Sequence, residues 1–587
     1  MMLIWILTFG LFFISLPCYA VYDPPADTMP DGYMWDPGIP GGIPSGSYSN
    51  VTCVAADGGD TNDDRSAIQS CIDDASSGTA VYLPAGEYYL SGGLTMKSNV
   101  VLRGAGMTST ILRFTNSSNT SMVTFGSYPW PGWANWQAIS SGYTKGSTTI
   151  TVANSSAFSA GDFVIIAQET ENHPLVDQQW SSGDEIRATD WPNSLRSTWG
   201  MITTVASVPN STTIVLSDPF MVDYGSSYNP MIGHINSTKK PLIQNSGVEN
   251  LKMYRPSAPS SPGTATGSVL MANAYKCWLK NVEIYKGQGR VVYTVRSARL
   301  EIHGCYLHEV WNYSSGGQGY LFVISYFTSN TLIENNIAIR ANATVHLETA
   351  GPGNVFAYNF FDSVKQDDAR TCTPYAGYSI GSHSDFSHMV LLEGNQMTQM
   401  RGDCTHGNTA WWTMLRNNFD STETEFDSIN TCKETEWMAC VRLFGCENRY
   451  FNFLGNVLGK SGLTFQKFLC GSGAENCSNQ GYQDRHIYSF GDSDERTTAI
   501  LHGNYDFYNN SIAHWEGGAD HSIRNSYYLS EKPSWFGSIT WPPFDPVAPT
   551  MTDIPAIIYY ETGAWPEEST PTLTIPGGVT ISGGRVE

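Results

Sequence analysis

Chemistry-bearing side chains crowd into the stretch between residues 348 and 412 of this 587-residue chain. Glu348, His383, Asp385, Asp403 and His406 fall within about sixty residues, and "VKQDDARTCTPYAGYS" (364–379) adds Asp367, Asp368 and Arg370. Neighbouring carboxylates and imidazoles push each other's proton affinities apart, so such a set can hold one acid and one base at the same pH. Arg370 and Arg401 are the basic candidates for holding a substrate. Trp411 and Trp412 are adjacent on an apolar run, so as a strand one indole would face outward beside His406 and the other inward.

These residues must be brought together by a repeat. Strand-like apolar stretches ending in Asn recur: "VENLKMY" with Asn250, "LKNVEIY" with Asn281, "TLIENNIAI" with Asn336 and "NVFAYNFF" with Asn359. "MVLLEGNQM" with Asn395, "WTMLRNNF" with Asn417 and "FNFLGNVLG" with Asn456 continue the series. From Asn336 onward the intervals are 23, 36, 22 and 39 residues, a short unit twice and the unit with an insertion twice. A period of 22–23 residues without helical patterning suits one coil of a parallel β-solenoid, three short strands and three turns. Asparagines at one turn would then stack and bond along the coil axis. Counting back eleven residues from Asn359 and Asn417 reaches Glu348 and His406, and from Asn395 reaches Ser384, between His383 and Asp385. One row of an acid/base site is expected there, with Asp403 beside it and Asp367 and Asp368 reaching in.

The N-terminal part carries a more specific signal. "AADGGDTNDDRSAIQSCIDDA" is a polar loop whose Asp60, Asp63 and Asp64 precede a helix with Ala67, Ile68, Cys71 and Ile72 on one face. "TAVYLPAGEYYL", "NVVLRGAG" and "TILRF" follow as strands between glycine turns. Residues 55–114 resemble the opening of the pectate-lyase-like superfamily of right-handed parallel β-helices. The resemblance implies an all-β, single-stranded right-handed parallel β-helix whose first helix caps the open end, with the aspartates structural. "KQDDAR" and "GYSIGS" (377–382) also resemble the paired-aspartate and following segments of the polygalacturonase family.

The resemblance implies a secreted enzyme acting on polysaccharide. Hydrolysis is placed slightly ahead of β-elimination, with carboxyls about 5–5.5 Å apart retaining configuration and about 6.5–9.5 Å apart inverting it. A lyase would need a base for the proton α to a uronate carboxylate and a cation, calcium or an arginine such as Arg370 or Arg401, to neutralise that carboxylate. The alternative from another class is a non-catalytic glycan-binding surface protein using the aromatic face of Trp411 or Trp412.

The remaining features set the boundaries. "LIWILTFGLFFISLPCYA" (3–20) is expected to be a signal peptide cleaved after Ala20, although no Lys or Arg precedes it. The expected domains are cap and first coils at 21–135, an inserted antiparallel β module at 136–225, the main solenoid at 226–515, and an irregular segment at 516–587 ending in a loose tail. Eleven cysteines follow the signal, and an oxidising compartment makes disulfides the expectation; Cys53 and Cys71 flank the capping segment and are expected to pair. No CxxC pair suggests zinc. A net charge of −22 disfavours nucleic acid and anionic membranes as partners. A monomer with a polysaccharide substrate is expected.

Overall fold

The computed structural model describes residues 35–587 except 119, 128–133, 177–196, 260–266, 314–317, 365–377, 384, 405, 422–438, 446–447, 466–485, 517–520, 548, 566–571, 576–578 and 583–587. Asp367, Asp368, Arg370 and the expected signal segment lie outside the described residues.

The first helix, α1 (Arg65–Asp74), forms where the apolar spacing placed it. Its Ile68 and Ile72 are fully buried in the same core as Val81, Leu83 and Val100 of the first coils. Asp63 accepts from the Arg65 amide and from the Ser91 amide and hydroxyl, and Asp64 accepts from the Asp57 amide. These carboxylates therefore fasten the cap to the coil below it. Cys53 and Cys71 are bridged, as expected.

Beyond the cap the chain passes between two parallel stacks of strands. One contains β1 (Gly267–Ala272), β2 (Arg290–Val295), β3 (Tyr320–Ser325), β4 (Ala343–Glu348), β5 (Tyr378–Ser382), β6 (Met400–Gly402), β7 (Val441–Leu443) and β8 (Tyr488–Ser489). Val269, Val292, Phe322, Val345, Ile380, Met400 and Val441 stand in one register on these strands and enter a shared core. Between β4 and β5 the chain contributes two strands to the second stack, Asn354–Ala357 and Phe360–Val364, each paired in parallel with its counterpart one coil earlier and later. Three short strands per coil bury side chains that a single strand could not cover.

Asparagines hold the turn between the two strands of the second stack. The Nδ2 of Asn336 donates to Asn359 Oδ1 at 3.0 Å, Asn359 to Asn395 at 2.9 Å, Asn395 to Asn417 at 2.9 Å and Asn417 to Asn456 at 3.0 Å. Asn456 extends the ladder to Asn504 at 2.8 Å, a further member preceded by the short strand Ile500–His502. Each Oδ1 also accepts the backbone N–H of the Asn one coil earlier, so these buried amides are fully used. Asn250 and Asn281 belong to a different row. They take left-handed backbone (φ 55° and 51°), the position that Asn335 holds just before the ladder residue Asn336.

The inserted antiparallel module is a closed six-stranded barrel of Ala134–Ser141, Thr149–Val152, Phe163–Gln168, Trp199–Asn210, Thr213–Leu216 and Met231–His234. Closure removes the exposed edges that a flat sheet of this size would present. The barrel docks on the coil through Arg299, whose guanidinium bonds Asp218, and through Trp199, which packs 5.1 Å from the Trp411 ring. Residues 527–556 pack over the same face of the coil, burying Tyr527, Phe536, Phe544 and Ile554.

Two expectations need correction. Cys277, Cys305 and Cys440 are buried free thiols, small apolar side chains in the coil core rather than disulfide partners. Cys404 is bridged, while Cys372, Cys432, Cys446, Cys470 and Cys477 lie outside the described residues. The end of the chain, expected as a loose tail, pairs Thr572–Ile575 with Val579–Ser582 as an antiparallel hairpin.

Candidate functional site

Strand alternation builds the site. In β4, "ATVHLE", Val345 and Leu347 enter the core, so His346 and Glu348 point to the other face. Register then aligns Tyr320, Ala343 and Tyr378 in one outward row and His346, Gly381 and Arg401 in the next. One residue beyond the registered pairs, Glu348, His383 and Asp403 form a third row, preceded on β3 by Ser325.

Two proton-bearing units result. In the first, Arg290 Nη2 meets Glu348 Oε1 at 2.7 Å, and the Ser325 hydroxyl donates to Oε2 at 2.7 Å. The Nε2 of His346 lies 3.2 Å from the same Oε1, and its Nδ1 bonds the Tyr378 hydroxyl. A carboxylate at Nε2 favours the proton there, so Nδ1 accepts from the phenol. The imidazole stacks on Tyr320, centroids 3.9 Å apart. In the second unit His383 Nδ1 bonds the Asp403 carboxylate, and Arg401 Nη2 stands 3.4 Å from the same carboxylate. His406 meets the His383 ring edge-on at 4.9 Å, and the two units touch where the His346 and His383 rings lie 5.3 Å apart.

Gly381 makes the first unit fit. A Cβ there would meet the Tyr378 ring and the Arg401 carbonyl, each at 2.8 Å, so only a bare backbone lets the phenol fold across to His346.

The electrostatics divide the groups. Burial would raise the Glu348 carboxyl, but Arg290, His346 and Ser325 overcome it and hold the group well below the usual carboxylate range. Burial pushes His346 down to about 4 against the pull of Glu348, leaving a neutral ring. Burial drives the Tyr378 hydroxyl well above its ordinary value, so it remains a phenol. His406 is lowered by burial and by His383 beside it. Both carboxylates are already engaged by guanidinium groups, a donor set that does not fit calcium, and no group of three metal-holding side chains gathers among the described residues. Arg401 and Arg442 are in register on successive coils and share Phe444, at 4.8 and 4.2 Å from its ring centroid.

Of the residues singled out by sequence, Glu348, His383, Asp403, His406 and Arg401 come together here. Asp385 lies fully buried in the turn leading away from β5. Trp412 is in the coil core. Trp411 does point away from the core, but the barrel covers it, leaving it 6% exposed against Trp199 and Phe386 instead of free beside His406. Arg290, Tyr320, His346, Tyr378 and Arg442 were missed. His346 was legible from alternation alone: between inward Val345 and Leu347, it shares the outward side with Glu348.

Comparison with known proteins places the N-terminal part. Residues 48–178 match the family described as rhamnogalacturonase A/epimerase, pectate lyase-like. Mannuronan C5-epimerase AlgE3 of Azotobacter vinelandii is 48% identical over 73 residues, 11% of this chain and 4% of that protein. Alginate lyase 7 of the same organism is 45% identical over 73 residues, 11% of this chain and 8% of that protein. The chain thus spans only a small part of the length of these relatives. Among solved structures, the tailspike gp61 of Pseudomonas phage phi297 aligns with TM-score 0.42 and 13% identity, covering 67% of this chain and 62% of that one. The A-module of the Azotobacter vinelandii mannuronan C-5 epimerase AlgE4 aligns with TM-score 0.30 and 14% identity, over 77% of this chain and 97% of that one. With its capping helix, parallel coils and matched opening segment at residues 48–178, the chain resembles the pectate-lyase-like superfamily of parallel β-helix proteins.

Proposed function

We propose that this protein is a polysaccharide-modifying enzyme that binds an acidic glycan across β4–β7 and abstracts the proton α to a uronate carboxylate. The observation that carries the reading is the pairing of His383 with Asp403. Asp403 takes the Nδ1 hydrogen, which leaves Nε2 of a side chain 30% exposed to exchange a proton with substrate. Arg401 and Arg442 supply positive charge for a substrate carboxylate on a chain that is otherwise strongly acidic.

In elimination, the C5 proton moves to His383 Nε2. The electrons of that C–H bond become the C4=C5 double bond as the C4–O bond breaks. The leaving oxygen takes the proton of Tyr378, a phenol kept protonated by burial and hydrogen-bonded to His346. Epimerisation shares the first step and returns a proton to the opposite face.

This order reverses the slight preference for hydrolysis. A glycosidase acid must hold its proton near neutrality, whereas Glu348 is held ionised and Asp403 is taken up by His383 and Arg401. A right-handed coil and secretion belong to the same reading, through the superfamily. The test is a panel of polyuronates and neutral polysaccharides with product analysis. Short-wavelength ultraviolet absorbance of unsaturated uronate ends, or altered uronate configuration without cleavage, is expected; new reducing ends without unsaturation would overturn the reading in favour of hydrolysis. Binding without any product would favour a non-catalytic glycan binder.

A further inference from the structure

The second stack carries a polar cavity of its own. Lys280, His303 and Glu334 stand in one register on successive coils, on the strands Trp278–Gly287, Glu301–His303 and Leu332–Glu334. Leu279, Ile302 and Ile333 enter the coil core, so these three side chains point outward. Residues 41–43 from the N-terminal segment and Trp535 and Trp565 from the C-terminal part close over them. They leave a cavity of about 300 Å³, which Glu301 also lines. That volume lies at the lower end of ligand pockets, about 300–1,000 Å³. The strands that carry His346 and Arg401 belong to the first stack, so this is a separate face of the coil.

The lining groups are arranged for a ligand that both donates and accepts. Glu334 Oε2 lies 3.0 Å from His303 Nδ1, and the Tyr528 hydroxyl donates to Oε1 at 2.6 Å. The carboxylate takes the Nδ1 hydrogen, so Nε2 is an acceptor. Nε2 has no partner among the described residues, on a side chain that is 16% exposed and lines the cavity. Lys280 is half-buried and likewise makes no hydrogen bond or ion pair among them, so its ammonium is an unused donor. One donor and one acceptor thus come from adjacent coils, about 4.8 Å apart. Trp535 and Trp565 are half-buried, and their indoles add apolar ring surface to the walls. A pyranose meets this set, with hydroxyls that donate and accept along its edge and C–H groups on its face. Charge decides which kind. Glu301 and Glu334 set two carboxylates against the one ammonium, which disfavours a uronate and leaves a neutral sugar.

We infer that this pocket binds a neutral sugar unit, with Lys280 and His303 at its hydroxyls and Trp535 and Trp565 against its ring. The site is separate from the proposed reaction, which acts on an acidic glycan, and it tethers the protein to polysaccharide that the reaction leaves untouched. The test titrates the full chain with cellohexaose, mannohexaose and xylohexaose, and with hexameric galacturonate, by calorimetry and tryptophan fluorescence. Lys280→Ala removes a donor that has no partner within the described protein, so its melting temperature should match wild type. Trp565→Ala removes a ring from the wall.

At least one neutral hexasaccharide is expected to bind wild type, and each substitution to weaken it about three- to tenfold. The hexagalacturonate titration is expected to be the same in wild type and both variants. No binding of any neutral hexasaccharide overturns the site, as does neutral binding that both substitutions leave unchanged. A hexagalacturonate affinity that falls in Lys280→Ala overturns the neutral assignment.

Discussion

His383 and Asp403 stand at equivalent positions on successive coils, and the ring Nδ1–H of one is held by the carboxylate of the other. The pair gives a base of defined tautomer its orientation from a neighbouring coil, so the geometry depends on register rather than on a flexible loop.

If the two act as a unit, their losses overlap. His383→Ala should reduce turnover 10²–10⁴-fold with little change in melting temperature, because the imidazole is partly exposed. Asp403→Asn should approach the same loss and also destabilise, since it leaves Arg401 beside a neutral amide. The double variant should be no slower than His383→Ala alone. Losses that multiply would separate the two residues and contradict the pairing.

Glu393 predicts a pH dependence of stability. It is fully buried and accepts from the Tyr358 hydroxyl at 2.7 Å and the Tyr527 amide at 2.9 Å, fastening the C-terminal segment to the coil. Burial raises its carboxyl to about 7 despite those hydrogen bonds. A raised folded value means that its contribution is intact below the unfolded value of 4.5 and is lost as pH rises to about 7. The loss amounts to roughly 3 kcal/mol. Glu393→Gln should remove this component, so denaturant midpoints compared at pH 5 and pH 8 should show the variant gaining relative to wild type at the higher pH. A constant difference between the two proteins would contradict the assignment.

The asparagine ladder predicts a stability cost at a residue far from the chemistry. Asn395 donates to Phe356 O and Asn417 Oδ1 and accepts from the Asn359 backbone and side chain. Asn395→Ala would strand those buried groups and should cost roughly 2–4 kcal/mol, read as a fall in the urea midpoint. A midpoint within error of wild type would mean that water or relaxation satisfies the turn.

The parts of the fold that could be read from sequence are those written locally. The cap helix, its disulfide and the ladder from Asn336 to Asn456 depend on short patterns that repeat at a fixed place in each coil. The site was legible only as far as the turns are uniform. Eleven residues separate Glu348 from its ladder Asn359, but twelve separate His383 from Asn395 and fourteen separate Asp403 from Asn417. Counting by a fixed offset therefore reached Glu348, slipped by one at His383 and overshot to His406 on the next coil. Arg290 escaped because its coil carries no ladder asparagine to count from. The cover over Trp411 comes from a barrel strand some two hundred residues earlier, a contact that no local pattern encodes.

The central claim is that His383 removes the proton α to a uronate carboxylate. The most direct measurement is mass and magnetic-resonance analysis of a polyuronate treated with the wild-type protein in deuterated water, beside His383→Ala. We predict unsaturated C4=C5 ends, or solvent deuterium at C5 of the product, with wild type and neither with the variant. Chains cleaved by wild type into saturated fragments that carry no deuterium at C5 would contradict the claim.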